Sequence, residues 1–307
     1  MSHTRDKRRR IVAAPIIAVT AAFLTACSVQ RYAINSFAEI LASGGTVFES
    51  DNDPVLVGEA LPFSLKLMEG LLAEQPDNEG LLLATCRGYL LYTYGFVHVP
   101  AEQRSMDSIA EARALRARAR NLYLRAHGYA RRALQNRYPG IGGDLSQDPE
   151  AALRAVAQHD VAMLYWDGAA LALAISVSRN EAALLARIPE VEALLARALE
   201  LDETWNAGAL HEFAIVLAAA RSTSAEQTEL RTHYDRALEL SEGARASVYV
   251  SYAEATAVPA QDRSQFVELL RRALEVDIEL DPENRLLNVI AQQRASWLLE
   301  RVDELFL

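Results

Sequence analysis

Helical signals run through almost the whole chain, while strand signals are nearly absent. No run of residues alternates apolar and polar positions between hairpin turns. Instead, long segments rich in Ala, Leu, Arg and Glu carry apolar residues about every 3.6 positions, the spacing of an amphipathic helix. An Asp precedes a Pro at three predicted helix starts: Asp53-Pro54, Asp148-Pro149 and Asp281-Pro282. With a capping box at residues 224–227 (SAEQ), these signals predict an all-α fold of about eleven helices.

Two segments interrupt the helical pattern. Residues 137–149 (RYPGIGGDLSQDP) combine Gly and Pro in a way that breaks any helix. A shorter link surrounds Ser43, Gly44 and Gly45. The remaining connections are short turns, so we predict one all-α domain over residues 35–307.

A six-residue pattern recurs in the second half of the chain. Its copies, at spacings of 39 and 36 residues, are Arg197-Ala-Leu-Glu-Leu-Asp202, Arg236-Ala-Leu-Glu-Leu-Ser241 and Arg272-Ala-Leu-Glu-Val-Asp277. Tetratricopeptide repeats have a period of about 34 residues and an Ala near the end of their second helix. Here the spacing varies, and the Pro expected five residues after that Ala is missing from every copy. The pattern predicts degenerate tetratricopeptide-like hairpins, which bury their apolar faces by stacking on one another.

Two predicted helices, residues 80–99 and 160–177, are apolar on every side. A helix of this kind is buried centrally in a large protein. Arg87 and Asp167 interrupt the two segments, so neither is suited to spanning a membrane. We therefore predict that the helical hairpins pack around these two central helices.

Aromatic residues on the two apolar helices leave two interpretations open. One is ordinary core packing. The other is an apolar cavity between the helices, in which Tyr hydroxyls and a Trp N–H are the few polar groups. For that cavity we expect the lining residues to be Tyr92, Phe96, Tyr165 and Trp166.

The N-terminus carries the features of an export signal. The apolar run IVAAPIIAVTAAF follows five cations and one acid, Arg5, Asp6, Lys7, Arg8, Arg9 and Arg10. A secretory signal has about 7–15 apolar residues after a basic start, whereas a membrane-spanning helix needs about 20. The sequence therefore predicts a cleaved signal peptide over residues 1–26.

The apolar run is followed directly by LTAC (residues 24–27), which resembles the bacterial lipobox. In that motif cleavage falls directly before the Cys, which carries the lipid. The resemblance implies that Cys27 is the first mature residue and is lipidated, with residues 27–34 as a tether. Two or three acyl chains hold a protein on a membrane stably, whereas one chain binds only marginally. Because Ser28 rather than Asp follows, we predict a lipid-anchored protein on the periplasmic side, with the outer membrane favoured.

Composition excludes several classes of protein. Half of the residues are hydrophobic, so a substantial core is available and general disorder is excluded. Removal of a leader with a net charge of +4 takes the formal charge from −10 to −14, which argues against a nucleic-acid partner. After lipidation of Cys27, Cys86 is the only thiol, so no intrachain disulfide is expected.

Catalytic and metal-binding motifs are absent from the sequence. There is no G-x-S-x-G or P-loop pattern, and the Gly-rich residues 140–143 follow no predicted strand. His211-Glu212 begins like a zinc-protease helix, but Ile215 occupies the position of the second His. The other histidines are scattered, without the Glu-x-x-His spacing of a di-iron bundle. We therefore predict a non-enzymatic protein with no cofactor and no metal site.

Residues 104–137 carry nine Arg residues on one predicted helix of an otherwise acidic chain. Two interpretations are open. The Arg residues form a solvated helix face, or they dock an acidic partner or anionic lipid headgroups.

Several segments together resemble the T component of tripartite ATP-independent periplasmic (TRAP) transporter systems. The resemblance covers the chain from about residue 35 to its end, and its most specific strings are LYW, HYDRALELS and the terminal WLL…DELF. It is carried by segments 60–97, 119–134, 160–176, 196–213, 233–255 and 285–306. The resemblance implies an all-α protomer, a homotrimer with a central pore, an apolar cleft in each protomer, and association with the solute-binding P component.

Two functions remain open at this point. The first is a periplasmic lipoprotein accessory to a TRAP transporter, which docks the P component and holds or passes an apolar ligand. The alternative is a tetratricopeptide-like envelope scaffold that organises an outer-membrane or cell-wall assembly without a small ligand.

Overall fold

The computed structural model describes residues 45–104, 108–220 and 227–306. Within these ranges all regular secondary structure is helical and no strand is formed, which confirms the predicted all-α fold. The predicted signal peptide, lipobox and tether lie outside the described residues, as do three of the four residues of the predicted capping box at 224–227.

Ten α-helices of seven residues or more occur in the described ranges. They are α1 (Pro54–Glu74), α2 (Glu79–Thr93), α3 (Ile109–Arg137), α4 (Val161–Ser176), α5 (Ile188–Asp202), α6 (Ala209–Ala220), α7 (Gln227–Leu240), α8 (Ala246–Tyr252), α9 (Arg263–Glu275) and α10 (Arg285–Glu300). Shorter α-helical segments are Gly45–Glu49, Val99–Arg104, Ile141–Asp144, Pro149–Leu153, Ala182–Leu185, Val258–Ala260 and Val302–Leu305. Two π-helical segments (Tyr94–His98 and Ala253–Ala257) and two 3₁₀ turns (Gln158–Asp160 and Pro282–Asn284) complete the list.

The predicted Asp-Pro helix starts differ in how they are capped. The side chain of Asp53 accepts hydrogen bonds from the backbone N–H groups of Val55 and Leu56 at the start of α1. Asp148 accepts one from Ala151, which confirms its capping role for a short helix. Asp281 precedes a 3₁₀ turn and makes no such bond. A Pro at the first helical position favours a helical start without deciding between an α-helix and a 3₁₀ turn.

Each long helix packs mainly against its neighbours in the sequence. Helices α1 to α5 pack in order, each against the next. Helices α6 and α7 form a further pair, and α8, α9 and α10 form a group of three. Consecutive helices joined by short connections bury their apolar stripes against one another, so this order follows from the amphipathic pattern.

The last long helix returns to the start of the described chain. One apolar cluster joins α10 to α1 and α2, and its fully or nearly fully buried members are Val57, Leu61, Leu91, Leu286 and Ile290. The Arg285 guanidinium donates a hydrogen bond of 2.8 Å to the backbone carbonyl of Ser50. The first and last long helices therefore share a core.

The recurring Arg-Ala-Leu-Glu pattern occupies equivalent places in the fold. Its copies lie near the ends of α5, α7 and α9, and the Ala of each copy, Ala198, Ala237 and Ala273, has no exposed surface. Only a small residue fits at such a close helix contact, which explains why the Ala recurs. The tetratricopeptide-like geometry of the hairpins stays a prediction.

Helix α3 lies between the two apolar helices α2 and α4 and packs along both of them. Most residues of α2 and α4 are buried in this three-helix layer. The central position of α2 and α4 in the whole domain stays a prediction, because α3 is as much a part of this layer as they are.

A buried charge network explains why an Asp lies within the apolar helix α4. Asp167 is fully buried, and its carboxylate is 2.6 Å from Nδ1 of His127 and 2.7 Å from Nε of Arg131, both on α3. Arg131 also pairs with Glu190 of α5. Burial by itself would raise the pKa of Asp167, but the charges of His127 and Arg131 hold it below its usual value. The network joins three successive helices.

A pair of histidines lies between α6 and α7. Nδ1 of His211 and Nδ1 of His233 are 2.9 Å apart, and His211 is almost fully buried. At this distance one Nδ1–H donates a hydrogen bond to the other Nδ1, so the accepting ring is neutral. Loss of hydration lowers the pKa of both rings, and for His211 the charge of His233 lowers it further.

We expect the histidine pair to make the protein less stable in mild acid. The pKa of each ring is lower in the folded state, so the unfolded state binds more protons below the usual His pKa of about 6.5. Stability is therefore retained above that pH and falls as the pH drops towards the folded-state values. Urea unfolding at pH 7.5 and pH 5.5 measures this loss. The variant His233→Gln should lose less stability over this interval than the wild type, and an equal loss would contradict the assignment.

Candidate functional site

Four aromatic side chains from three parts of the chain form one cluster. The Tyr165 ring lies 4.7 Å from Trp166, its neighbour on α4, and 4.8 Å from Trp205, which follows α5. Phe213 of α6 lies edge-on to Tyr165 at 6.0 Å. Tyr165, Trp166 and Trp205 are each only partly buried. The cluster therefore presents aromatic surface that the core does not cover.

Arg87 of α2 lies over the face of Trp166, with its guanidinium carbon 5.5 Å from the ring centroid. The same guanidinium donates a hydrogen bond of 2.5 Å to Glu49. Burial raises the pKa of Glu49, and the charge of Arg87 opposes that rise. The Arg that interrupts apolar helix α2 is thus held by a carboxylate and an aromatic face, which together make its partial burial tolerable.

Glu212 of α6 lies near the aromatic cluster, close enough for its charge to act on Tyr165. Its side chain keeps 19% of its surface accessible, and the nearest cation, Arg245, is 3.8 Å away. Burial raises the pKa of Glu212, while Arg245 and a hydrogen bond from Ser247 oppose the rise. Burial, and next the negative charge of Glu212, raise the pKa of Tyr165 to about 12. We call the region of Tyr165, Trp166, Trp205, Glu212 and Arg245 the aromatic recess.

The loop that carries Trp205 has an unusual backbone. Asn206, Ala207 and Gly208 follow one another with φ angles of 49°, 47° and 86°. Residues other than Gly rarely adopt this left-handed backbone conformation, so the loop is strained at Asn206 and Ala207. Arg245 donates hydrogen bonds of 2.9 Å and 3.1 Å to the backbone and side-chain oxygens of Asn206. The bonds from Arg245 therefore fix the position of Trp205.

A second charge cluster joins α10 to two short segments. Arg294 donates hydrogen bonds of 3.0 Å and 2.8 Å to Glu254, and it also pairs with Glu102. Burial by itself would raise the pKa of Glu102, but the charge of Arg294 and the neighbouring His98 lower it to about 2. The three side chains form a partly buried bridge between the two halves of the chain.

The segments on either side of this bridge share a local pattern. Each π-helical segment, Tyr94–His98 and Ala253–Ala257, is followed directly by Val-Pro-Ala. Pro100 and Pro259 lack the N–H needed for an α-helical hydrogen bond, and a π-turn is one way for a helix to accommodate that loss. Glu102 follows the first of these turns and Glu254 lies within the second.

The chemistry available in the recess is that of binding. It offers aromatic faces, one weakly compensated carboxylate and the guanidinium group of Arg245, and the Arg87 guanidinium lies over Trp166. No group of three or more residues suited to holding a metal ion is found among the described residues. Cys86 is buried, and burial raises the pKa of its thiol, which makes it unreactive.

Comparison with known proteins identifies the family. The family model described as "TRAP transporter T-component" matches residues 50–306, which is most of the chain. The chain belongs to the TRAP transporter T-component family. It is also 30% identical over 301 residues to an uncharacterised protein of Treponema pallidum (strain Nichols), covering 92% of this chain and 93% of that protein. Membership confirms the resemblance seen in the sequence and supports an accessory role in TRAP transport.

In this T component the four residues predicted to line a cleft lie in two separate pairs. Tyr165 and Trp166 belong to the aromatic recess. Tyr92 and Phe96 form the other pair, with ring centroids 5.9 Å apart, and the Phe96 ring lies against Gly58 of α1. The hydroxyl of Tyr92 accepts a hydrogen bond of 3.0 Å from Arg118 of α3. No ring contact links the two pairs among the described residues, and their role as cleft lining stays a prediction.

Three residues of the recess were not singled out as site residues from the sequence of this T component. Trp205 precedes an Asn-Ala-Gly turn, and an aromatic residue in a turn is a usable signal for a binding surface. Glu212 was considered only as part of a zinc-protease pattern. Arg245 carries no local signal, because its partners are 39 residues away for Asn206 and 33 residues away for Glu212.

The length and apolar character of the helices bear on how the T component can meet a membrane. None of the helices in the described residues is both long and apolar enough to cross a bilayer. The lipid attachment predicted at Cys27 lies outside those residues and stays a prediction.

Proposed function

We propose that this T component is a non-enzymatic lipoprotein that docks the solute-binding P component of a TRAP transporter. The observation that carries the proposal is the family match over residues 50–306. We further propose that the protein is a homotrimer anchored through Cys27 on the periplasmic side of the outer membrane. Family membership favours this role over an envelope scaffold.

The proposal includes a small apolar ligand that the protein holds or passes on. The partly exposed rings of Tyr165, Trp166 and Trp205 support it, since apolar ligands bind to aromatic surfaces that carry a few polar groups. Tyr92 and Phe96 are proposed as a second part of the lining. Because the two pairs lie apart, each pair is tested by itself.

Docking is tested with purified proteins by sedimentation velocity. The T component and the solute-binding protein of the same host's TRAP transporter are mixed at low salt. A species that contains both proteins is expected at a sedimentation coefficient above that of either protein alone. Independent sedimentation of the two proteins at tens of micromolar would contradict docking.

Ligand binding is tested by replacing Trp166 with Ala. The wild-type protein purified from its host is expected to carry an apolar compound that organic extraction and mass spectrometry detect. Trp166→Ala removes one of the two indole rings of the recess and should release that compound while the far-ultraviolet circular dichroism is unchanged. The matched control is Trp297→Ala on α10, a Trp that lies under Arg301 and outside the recess.

Two results would count against the recess as the ligand site. One is equal retention of the compound by the wild type and by Trp166→Ala. The other is loss of the compound from Tyr92→Ala/Phe96→Ala but not from Trp166→Ala, which would assign the site to the second pair.

A further inference from the structure

Helix α3 carries a concentration of positive charge and only one acid, Glu111 in its first turn. Residues 112–137 contain eight Arg residues and no Asp or Glu, within a chain of formal charge −10. These residues are Arg113, Arg116, Arg118, Arg120, Arg125, Arg131, Arg132 and Arg137. Glu111 pairs with Arg104, which lies before the helix, so carboxylates that neutralise these eight Arg residues come from other elements of the fold.

Four of these cations are neutralised by carboxylates from elsewhere in the chain. Arg120 pairs with Glu181, Arg125 with Glu69, Arg131 with Asp167 and Glu190, and Arg137 with Glu79. Two more lie over aromatic rings: Arg118 over Tyr92 and Arg132 over Tyr129. Arg113 and Arg116 are left, and neither has a carboxylate partner among the described residues.

The two unpaired cations face one groove. Ile109, Arg113, Arg116 and Arg120 follow one another at helical spacing on one side of α3. The opposite wall is formed by the residues after α4, among them Asn180. The groove has a volume of about 300 Å³. The Arg120–Glu181 pair spans it as a neutral bridge, so the groove has an uncompensated charge of two cations.

An exposed apolar residue lies at one end of the groove. Ile109 is 70% exposed at the first position of α3. Protein interfaces combine apolar contact with charged groups at the rim, and Arg binds carboxylates through two parallel hydrogen bonds. The groove thus combines a hydrophobic contact with two guanidinium groups that are free to bind carboxylates.

We propose that this groove docks an acidic segment of the solute-binding component, with Arg113 and Arg116 binding its carboxylates. The inference rests on the proposed docking function and names the face that performs it. A protein partner is favoured over an anionic membrane for two reasons. The chain as a whole is negatively charged and is repelled by an anionic bilayer. The charge also lies in a groove that a projecting side chain can enter, whereas a flat headgroup layer cannot.

The test compares two double variants that change the net charge equally. Arg113→Glu/Arg116→Glu reverses the groove, while Arg154→Glu/Arg271→Glu reverses two exposed Arg residues outside the groove. Affinity for the host's purified solute-binding protein is measured at 50 mM and 300 mM NaCl by biolayer interferometry. We expect the groove variant to bind at least about tenfold more weakly at low salt, with a smaller salt dependence than the wild type. The control variant should stay within about twofold of the wild type.

The outcomes distinguish an error in the groove assignment from an error in the proposed docking function. If the wild type does not bind the solute-binding protein, the docking function itself is wrong. If the wild type binds and the groove variant binds equally well, docking stands and the groove assignment is wrong. Vesicles of phosphatidylglycerol and phosphatidylethanolamine provide the third arm. Vesicle binding that the groove variant loses while it keeps its protein partner would assign the charge to lipid and overturn the proposal.

Discussion

Replacement of Asp167 by Ala is expected to lower the free energy of unfolding by about 3–5 kcal/mol, because it leaves the largely buried Arg131 guanidinium and the His127 ring without their shared partner. Asp167 has no exposed surface, and His127 and Arg131 both pair with it. Arg131 retains Glu190, but the face of the guanidinium that met Asp167 loses its hydrogen bond. Urea unfolding monitored by circular dichroism at pH 7.5 measures the change.

An exposed ion pair serves as the control for this prediction. Asp235 pairs with Arg231 four residues earlier on α7, and both side chains are more than half exposed. Asp235→Ala should cost no more than about 0.5 kcal/mol, since solvent screens such pairs. A loss of less than about 1 kcal/mol for Asp167→Ala would mean that the buried network does not join α3 to α4 as described.

Replacement of Cys27 by Ala is expected to move the protein from the membrane fraction to the soluble periplasmic fraction. The prediction follows from the resemblance of LTAC (residues 24–27) to the bacterial lipobox, a motif whose Cys carries the lipid. Two or three acyl chains bury enough methylene groups, at about 0.8 kcal/mol each, to hold a protein on a membrane. Cell fractionation followed by immunoblotting measures the shift.

The second cysteine is a matched control for the anchor. Cys86 is buried in the core, so Cys86→Ala should leave the protein in the membrane fraction. If Cys27→Ala remained in the membrane fraction after a high-salt wash, lipid attachment at Cys27 would be wrong and another contact would hold the protein there.

Local patterns in the sequence predicted the fold class and much of its detail. Helical spacing gave the all-α fold, and Asp53 and Asp148 were recognised as caps from the residues next to them. These features depend on neighbours within about four positions, which a sequence displays directly. The resemblance to T components came from short strings spread over the chain and is confirmed by the family match.

Which residues come together in the candidate site is decided by contacts between distant parts of the chain, and no local sequence pattern shows these. Tyr165 and Trp166 are neighbours in sequence, but Trp205 reaches them through a loop about 40 residues later. Tyr92 and Phe96 lie on the same apolar stretch as Arg87, yet they meet α1 and α3 rather than the recess. A helix that is apolar on every side has no polar side to orient it. The packing of the neighbouring helices therefore decides which way each of its residues faces.

A crosslinked pull-down from the native host tests the central claim most directly. The affinity-tagged protein is crosslinked in cells, purified, and its partners are identified by mass spectrometry, with the Cys27→Ala variant as a control for membrane-dependent capture. Recovery of a periplasmic solute-binding protein of a TRAP transporter is the predicted result. Recovery of envelope-assembly or cell-wall proteins alone would contradict the role in TRAP transport proposed for this chain.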